Sequence, residues 1–189
     1  MVKNLKYEDL HESVMLREVV EFLNVKKLAL LKKKSYFIDA TLGLGGHAIQ
    51  IVKLGGNLLG IEQDLNSLKI AEDRLKEACP TPELKPNSLQ GSFKLVQGNF
   101  RQINKIAEEF GFGKVDGILF DLGVSSYQLS DKRRGFSFKD EQSVLDMRID
   151  KSSGVKAMDL LNVLSEKQLI QVFEVVLPKN VSAHLAKKI

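Results

Sequence analysis

Residues 37–48 read Phe37-Ile-Asp-Ala-Thr-Leu-Gly43-Leu-Gly45-Gly46-His47-Ala48, an apolar run that breaks into a glycine loop and then a helical pattern. Few backbones satisfy such a stretch other than a strand, a tight loop and a helix start. Glycines let a backbone approach a ligand where any side chain would collide. The helix start behind them offers N–H groups with no helix partner. One carboxylate, Asp39, precedes the glycines, and a second, Glu62, closes the next apolar run at 57–62. An acid roughly 20 residues beyond such a loop is placed to accept ribose hydroxyls. The stretch points to a ligand that carries a nucleoside.

The rest of the first two thirds alternates in the same way. Apolar spacing predicts a helix over 14–24, a lysine-rich link, a strand over 36–40 and a helix from 46 to 54 that stops at Gly55-Gly56. A strand at 57–62 follows, then a helix over 66–79 on Leu68, Ala71, Leu75 and Ala78. Residues 80–92 hold three of the four prolines and read as a loop. A third strand over 93–97, a helix over 101–110 burying Ile103, Ile106 and Phe110, and a fourth strand over 115–120 complete the series. Such alternation implies right-handed crossovers and a parallel sheet covered on both faces. Ligands on these sheets sit outside the carboxyl ends of the strands, so the site loops are 43–47, 62–64, 98–100 and 121–128.

From about Ser130 to residue 155 the chain is polar and irregular, and helices are expected near 156–164, 166–176 and 181–189. Ser165 with Gln168 has the spacing of a capping box. The expected organisation is an α/β core over 1–129 and a helical subdomain over 130–189.

Composition narrows the class. No apolar run approaches the roughly 20 residues that span a bilayer. The single cysteine, Cys79, cannot form an internal disulfide and reads as a bystander thiol in a reducing cytoplasm. His11, His47 and His184 are scattered without cysteine partners, so no metal site is expected. A net charge of +4 suits a polyanion partner, and the basic clusters are Lys26-Lys27, Lys32-Lys33-Lys34 and Lys132-Arg133-Arg134.

Two ligands compete at the glycines. The spacing Gly43-Leu-Gly45-Gly46-His47-Ala48 formally matches the dinucleotide pattern, which leaves a nicotinamide or flavin cofactor open. In a dinucleotide site the strand runs straight into the first glycine, whereas here Asp39-Ala-Thr-Leu intervenes. An acid in that position suits a ligand with an ammonium group and no phosphate, as in S-adenosylmethionine. Asp39 would serve the amino-acid end by ordering the loop or through water. Glu62 would accept both ribose hydroxyls, and Phe100 would pack against adenine or simply fill core. The His47 side chain has capping or packing as its alternative use.

Five segments are family-specific. His11-x-Ser13-Val-Met-Leu, Asp39-Ala-Thr-Leu-Gly-x-Gly-Gly-His47, Asp121-Leu-Gly-Val-Ser-Ser126-Tyr-Gln128-Leu, Arg134-Gly-Phe-Ser-Phe138 and Leu145-Asp-Met-Arg-Ile-Asp150 resemble the bacterial 16S ribosomal RNA cytosine-N(4)-methyltransferase family. The resemblance implies a Rossmann-like class I methyltransferase core with an inserted helical subdomain. It implies methyl transfer from S-adenosylmethionine to the exocyclic amine of a cytidine in the small ribosomal subunit. Donor contacts carried over by motif are Gly45, Gly46, His47, Glu62, Phe100, Asp121 and Gln128. Asp121, helped by Ser125 and Ser126, is the candidate for orienting the amine. Arg133, Arg134 and Arg148 are candidates for phosphates, and Phe136 or Phe138 for stacking on a base or for packing.

The chain departs from the family at Glu62, where aspartate is usual, and at Val176-Leu-Pro178-Lys179, where the family has Tyr-Gly-Glu-Glu. Family strands expected beyond the inserted helices are not found, so an N-terminal fragment is expected. Its strand over 115–120 would then be an edge open to aggregation or to pairing with a second copy. A non-catalytic RNA-binding module is the remaining alternative.

Overall fold

The computed structural model describes residues 13–31, 34–80, 91–139, 142–152 and 154–189. His11 and most of the expected loop over 80–92 lie outside them. The chain divides into two compact units between Tyr127 and Gln128.

The first unit carries four parallel strands, β1 (Tyr36–Asp39), β2 (Asn57–Glu62), β3 (Phe93–Gln97) and β4 (Gly117–Leu119), in the order β3-β2-β1-β4. Ile38 stands in register with Leu59 on one side and Ile118 on the other. Adjacent residues of β1 point to opposite faces, and both faces are covered. Phe37 joins Leu42, Ala48, Ile51, Val52, Leu58, Ala71 and Leu75 in one apolar cluster. Ile38 joins Leu59, Ile61, Ile106, Ala107 and Phe112 in the other.

Helices of this unit are α1 (Leu16–Phe22), α2 (Val25–Leu31), α3 (Gly46–Lys53), α4 (Leu65–Ala78) and α5 (Ile103–Phe110). The described start of the expected lysine-rich link, Val25–Leu31, is helical instead, and Lys32 and Lys33 lie outside the described residues. Asn24, at φ 51°, turns the corner out of α1, and fully buried Val25 anchors the start of α2. The expected helix over 101–110 splits into a 3-10 turn, Phe100–Gln102, and α5, because the Asn99 side chain accepts from the Arg101 N–H at 2.9 Å. The fourth strand is three residues long rather than six. It pairs with β1 alone and leaves Ile118 and Phe120 half-exposed, so its apolar run is not held extended on both sides. Cys79 is buried in the first cluster, where burial pushes its thiol up.

Helix α6 (Ser126–Ser130) runs across the boundary and was not foreseen in the sequence. The second unit continues with α7 (Ala157–Val163), α8 (Glu166–Phe173) and α9 (Lys179–Ala186), and α8 packs on α9. The Ser165 N–H donates to the Gln168 side-chain oxygen at 2.9 Å, as a capping box requires. The irregular stretch before α7 is tied together by Arg134. Its fully buried guanidinium donates to the carbonyls of Arg148 and Ile149, at 2.9 and 3.0 Å, and lies over the Phe136 ring.

Candidate nucleoside-binding site

The carboxyl ends of β1, β2 and β4 bring three acids to one side of the sheet: Asp39, Glu62 and, just past β4, Asp121. Glu62 is nearly buried and braces the glycine loop. Its Oε2 accepts from the Gly43 N–H and its Oε1 from the Asp64 N–H, both at 2.8 Å. Burial raises the Glu62 pKa, and those two N–H groups oppose the rise. Asp64 in turn accepts from the Asn66 N–H at 3.0 Å and so caps α4.

Asp39 is 1% exposed. Burial raises its pKa from 3.8 to about 7, the Thr41 N–H opposes this, and the negative charges of Glu62 and Asp121 add to it. Thr41 links two of the acids. Its N–H donates to Asp39 Oδ1 at 3.2 Å, and its Oγ1 accepts from the Asp121 N–H at 2.7 Å. Sequence reasoning passed over Thr41, although the two-residue offset from Asp39 is the signal of an Asx turn. It also passed over Arg74 on α4, which donates to the Leu44 carbonyl at 2.6 Å and holds the loop from behind. Both charges acting on Asp39 are negative. This environment attracts a cation and repels a pyrophosphate.

Gly43 and Gly45 take left-handed φ values of 53° and 78°, which side chains rarely adopt, and Gly45 is the N-cap of α3. At Gly46 an added Cβ would collide with Ser13 Oγ. The His47 ring is buried, with Nε2 2.9 Å from the Val14 carbonyl oxygen. A carbonyl only accepts, so this nitrogen carries the proton. Phe100 is half-buried, edge-on to Phe120 with ring centroids 5.8 Å apart.

The other expected residues divide. Asp121 and Ser126 are exposed and Ser125 is half-buried, all in the first unit after β4. Gln128 is buried on α6 at the start of the second unit. Of the basic candidates, buried Arg134 serves its own backbone and is unsuited to phosphate. Arg148 is engaged by Asp146 through Nε at 2.6 Å and Nη2 at 2.9 Å. Arg133 is 80% exposed and paired with Asp131. Phe138 is 93% exposed. Among the described residues no cluster of His, Cys, Asp and Glu is arranged to hold a metal ion, and no helix is long and apolar enough to cross a membrane.

The model of the MraW methylase family matches residues 8–189. Among curated proteins, the chain is 37% identical to the ribosomal RNA small subunit methyltransferase H of Lachnospira eligens, covering 93% of this chain and 52% of that protein. It is also 37% identical to the protein of that name from Dictyoglomus thermophilum, covering 96% and 57% respectively. The Clostridium botulinum protein (strain Loch Maree / Type A3) is 37% identical, with 87% and 48% covered. The chain thus spans about half the length of the curated relatives it matches.

Proposed function

We propose a function for a chain that belongs to the MraW methylase family: its glycine loop binds S-adenosylmethionine, and the methyl group goes to the exocyclic N4 amine of a cytidine in 16S rRNA. The observation that carries this reading is the set of three carboxylates around Gly43–His47, with Asp39 feeling the charge of both others. A sulfonium and an ammonium gain from that field, whereas the pyrophosphate of a nicotinamide cofactor would oppose it. The relatives' name, which specifies the small-subunit ribosomal RNA, supports the substrate class.

When bound, S-adenosylmethionine supplies an electrophilic methyl carbon. The chain's own residues do the rest. Glu62 Oε1 and Oε2 accept the Asp64 and Gly43 N–H groups, and the carboxylate turns its remaining acceptor capacity to the ribose hydroxyls. Gly45, Gly46 and the His47 backbone line the amino-acid end, and Phe100 packs on adenine. A cytidine N4 lone pair is delocalised into the ring and nucleophilic only when an acceptor orients the amine and takes its proton. Asp121, exposed at the end of β4, is the acceptor, with Ser125 and Ser126 fixing the amine by hydrogen bonds. Alignment of amine, methyl carbon and sulfur supplies most of the acceleration. The target base must be splayed out of the folded rRNA. The small ribosomal subunit is then the partner and the cytoplasm the place of action, while the exposed edge of β4 is a surface on which two copies could pair as a homodimer.

Titration calorimetry with S-adenosylmethionine and with nicotinamide cofactor, together with labelled-methyl incorporation into small subunits, tests the proposal. The expected result is heat with the methyl donor alone and label in 16S rRNA. Asp121→Ala should bind the donor yet lose transfer. Competition by a dinucleotide, or RNA retention without any label, would overturn it.

A further inference from the structure

Gly46 is closed to side chains by an atom of this same chain: a Cβ there would collide with Ser13 Oγ. Beside it, buried His47 donates from Nε2 to the Val14 carbonyl at 2.9 Å. Residues 13–15 therefore lie across the start of α3. The apolar side chains of Val14 and Met15 contribute little to holding them there. Val14 is 59% and Met15 61% exposed, and α1, which follows directly, has no buried residue. Met15 also takes left-handed angles, φ 52° and ψ 38°, which a residue with a Cβ adopts only at a cost. A segment with its apolar side chains in solvent opens locally at a lower free energy than the core does.

We propose that residues 13–15 are a strap that closes over the amino-acid end of the bound methyl donor, with His47 as the positioning residue that latches it. The inference rests on the donor reading above, which sets that end of the ligand against Gly45 and Gly46. Closed, the strap keeps water from the amino-acid end and slows release; open, it lets the ligand exchange. What His47 must provide is an N–H donor at the reach of Nε2. A glutamine side chain presents one at similar reach, whereas leucine fills comparable volume and presents none.

The test is titration of the whole chain with S-adenosylmethionine and with 5′-deoxy-5′-methylthioadenosine, a nucleoside that lacks the amino-acid end. His47→Leu should weaken the first roughly fivefold to tenfold and the second by less than about twofold, the size of one lost hydrogen bond at one end only. His47→Gln should restore wild-type affinity for both. Ser13→Gly removes the contact on Gly46 without altering α3, and serves where His47→Leu fails to fold. It should shift affinity the same way, by roughly threefold. Amide exchange over residues 13–19 should quicken in His47→Leu and not in His47→Gln. Equal losses for the two nucleosides, or no rescue by glutamine, would overturn the strap while the donor reading stands. A wild-type chain that binds neither nucleoside would instead overturn the donor reading on which the strap depends.

Discussion

Two buried carboxylates, one in each unit, sit in opposite circumstances. Asp39 is 1% exposed and Asp146 7%, so burial penalises both. Asp146 is gripped by the Arg148 guanidinium, which holds its carboxyl down to about 2. Asp39 is pushed up to about 7 by its burial, and the negative charges of Glu62 and Asp121 add to the rise. The second unit thus pairs Asp146 with Arg148 and turns the Arg134 guanidinium to backbone carbonyls of its own. The first unit instead sets Asp39 near two further acids at the carboxyl ends of its strands. A fold that only had to be stable would have little use for the second arrangement. It fits a site that receives a cation from outside.

The largest expected effect tests the self-contained half of this contrast. Arg134→Ala removes a fully buried guanidinium and orphans the carbonyls of Arg148 and Ile149, and should cost about 3 kcal/mol in urea unfolding. If the first unit alone holds the donor, affinity for S-adenosylmethionine should stay within about threefold. The next effect probes the open half. Glu62→Ala should weaken the donor by roughly 10- to 100-fold in calorimetry, the loss of hydrogen bonds to a charged acceptor. Unchanged heat would remove Glu62 from the ribose.

A pH titration distinguishes the two acids more finely. Binding a cation favours ionised Asp39, so affinity should rise from about pH 6 to about pH 8. The gain is up to about tenfold, the change in ionised fraction for a group titrating near 7. Asp39→Asn should flatten the profile. Stability of the ligand-free chain moves the other way. The folded pKa lies above the unfolded 3.8, so the contribution of Asp39 is full below that value and lost as pH rises through 7. Asp146, with its depressed pKa, contributes stability above the ordinary carboxylate range that is lost as pH falls toward 2. The smallest effect falls on the surface. Arg133→Ala should change stability by under about 0.5 kcal/mol. It should lower the salt slope of RNA binding by about one if the arginine reaches phosphate.

Much of the core was legible because parallel strands and their helices write their burial locally. The strand 57–62 appears with the expected bounds, and 93–97 does as well. The helix 66–79 differs by one residue at either end. Where expectation and structure part, the deciding partner is remote in sequence. Nothing near Lys26-Lys27 announces that Val25 is buried. The short β4 follows from pairing with β1 alone, a property of strand order. Arg134 reads as a surface cation beside Lys132 and Arg133 until the carbonyls 14 and 15 residues away claim it.

Sequence alone determined the alternation of strand and helix, the glycine loop and the acids at the strand ends, because these follow from side-chain period and backbone freedom over a few residues. Tertiary structure alone decided what each polar group faces. Glu62 braces Gly43 across 19 residues, and Asp121 reaches Thr41 across 80. The His47 ring turns to Val14, 33 residues back. Hydrogen bonds and charges act through space within a few ångströms, so their pairing is set only once the sheet has brought distant loops to one edge.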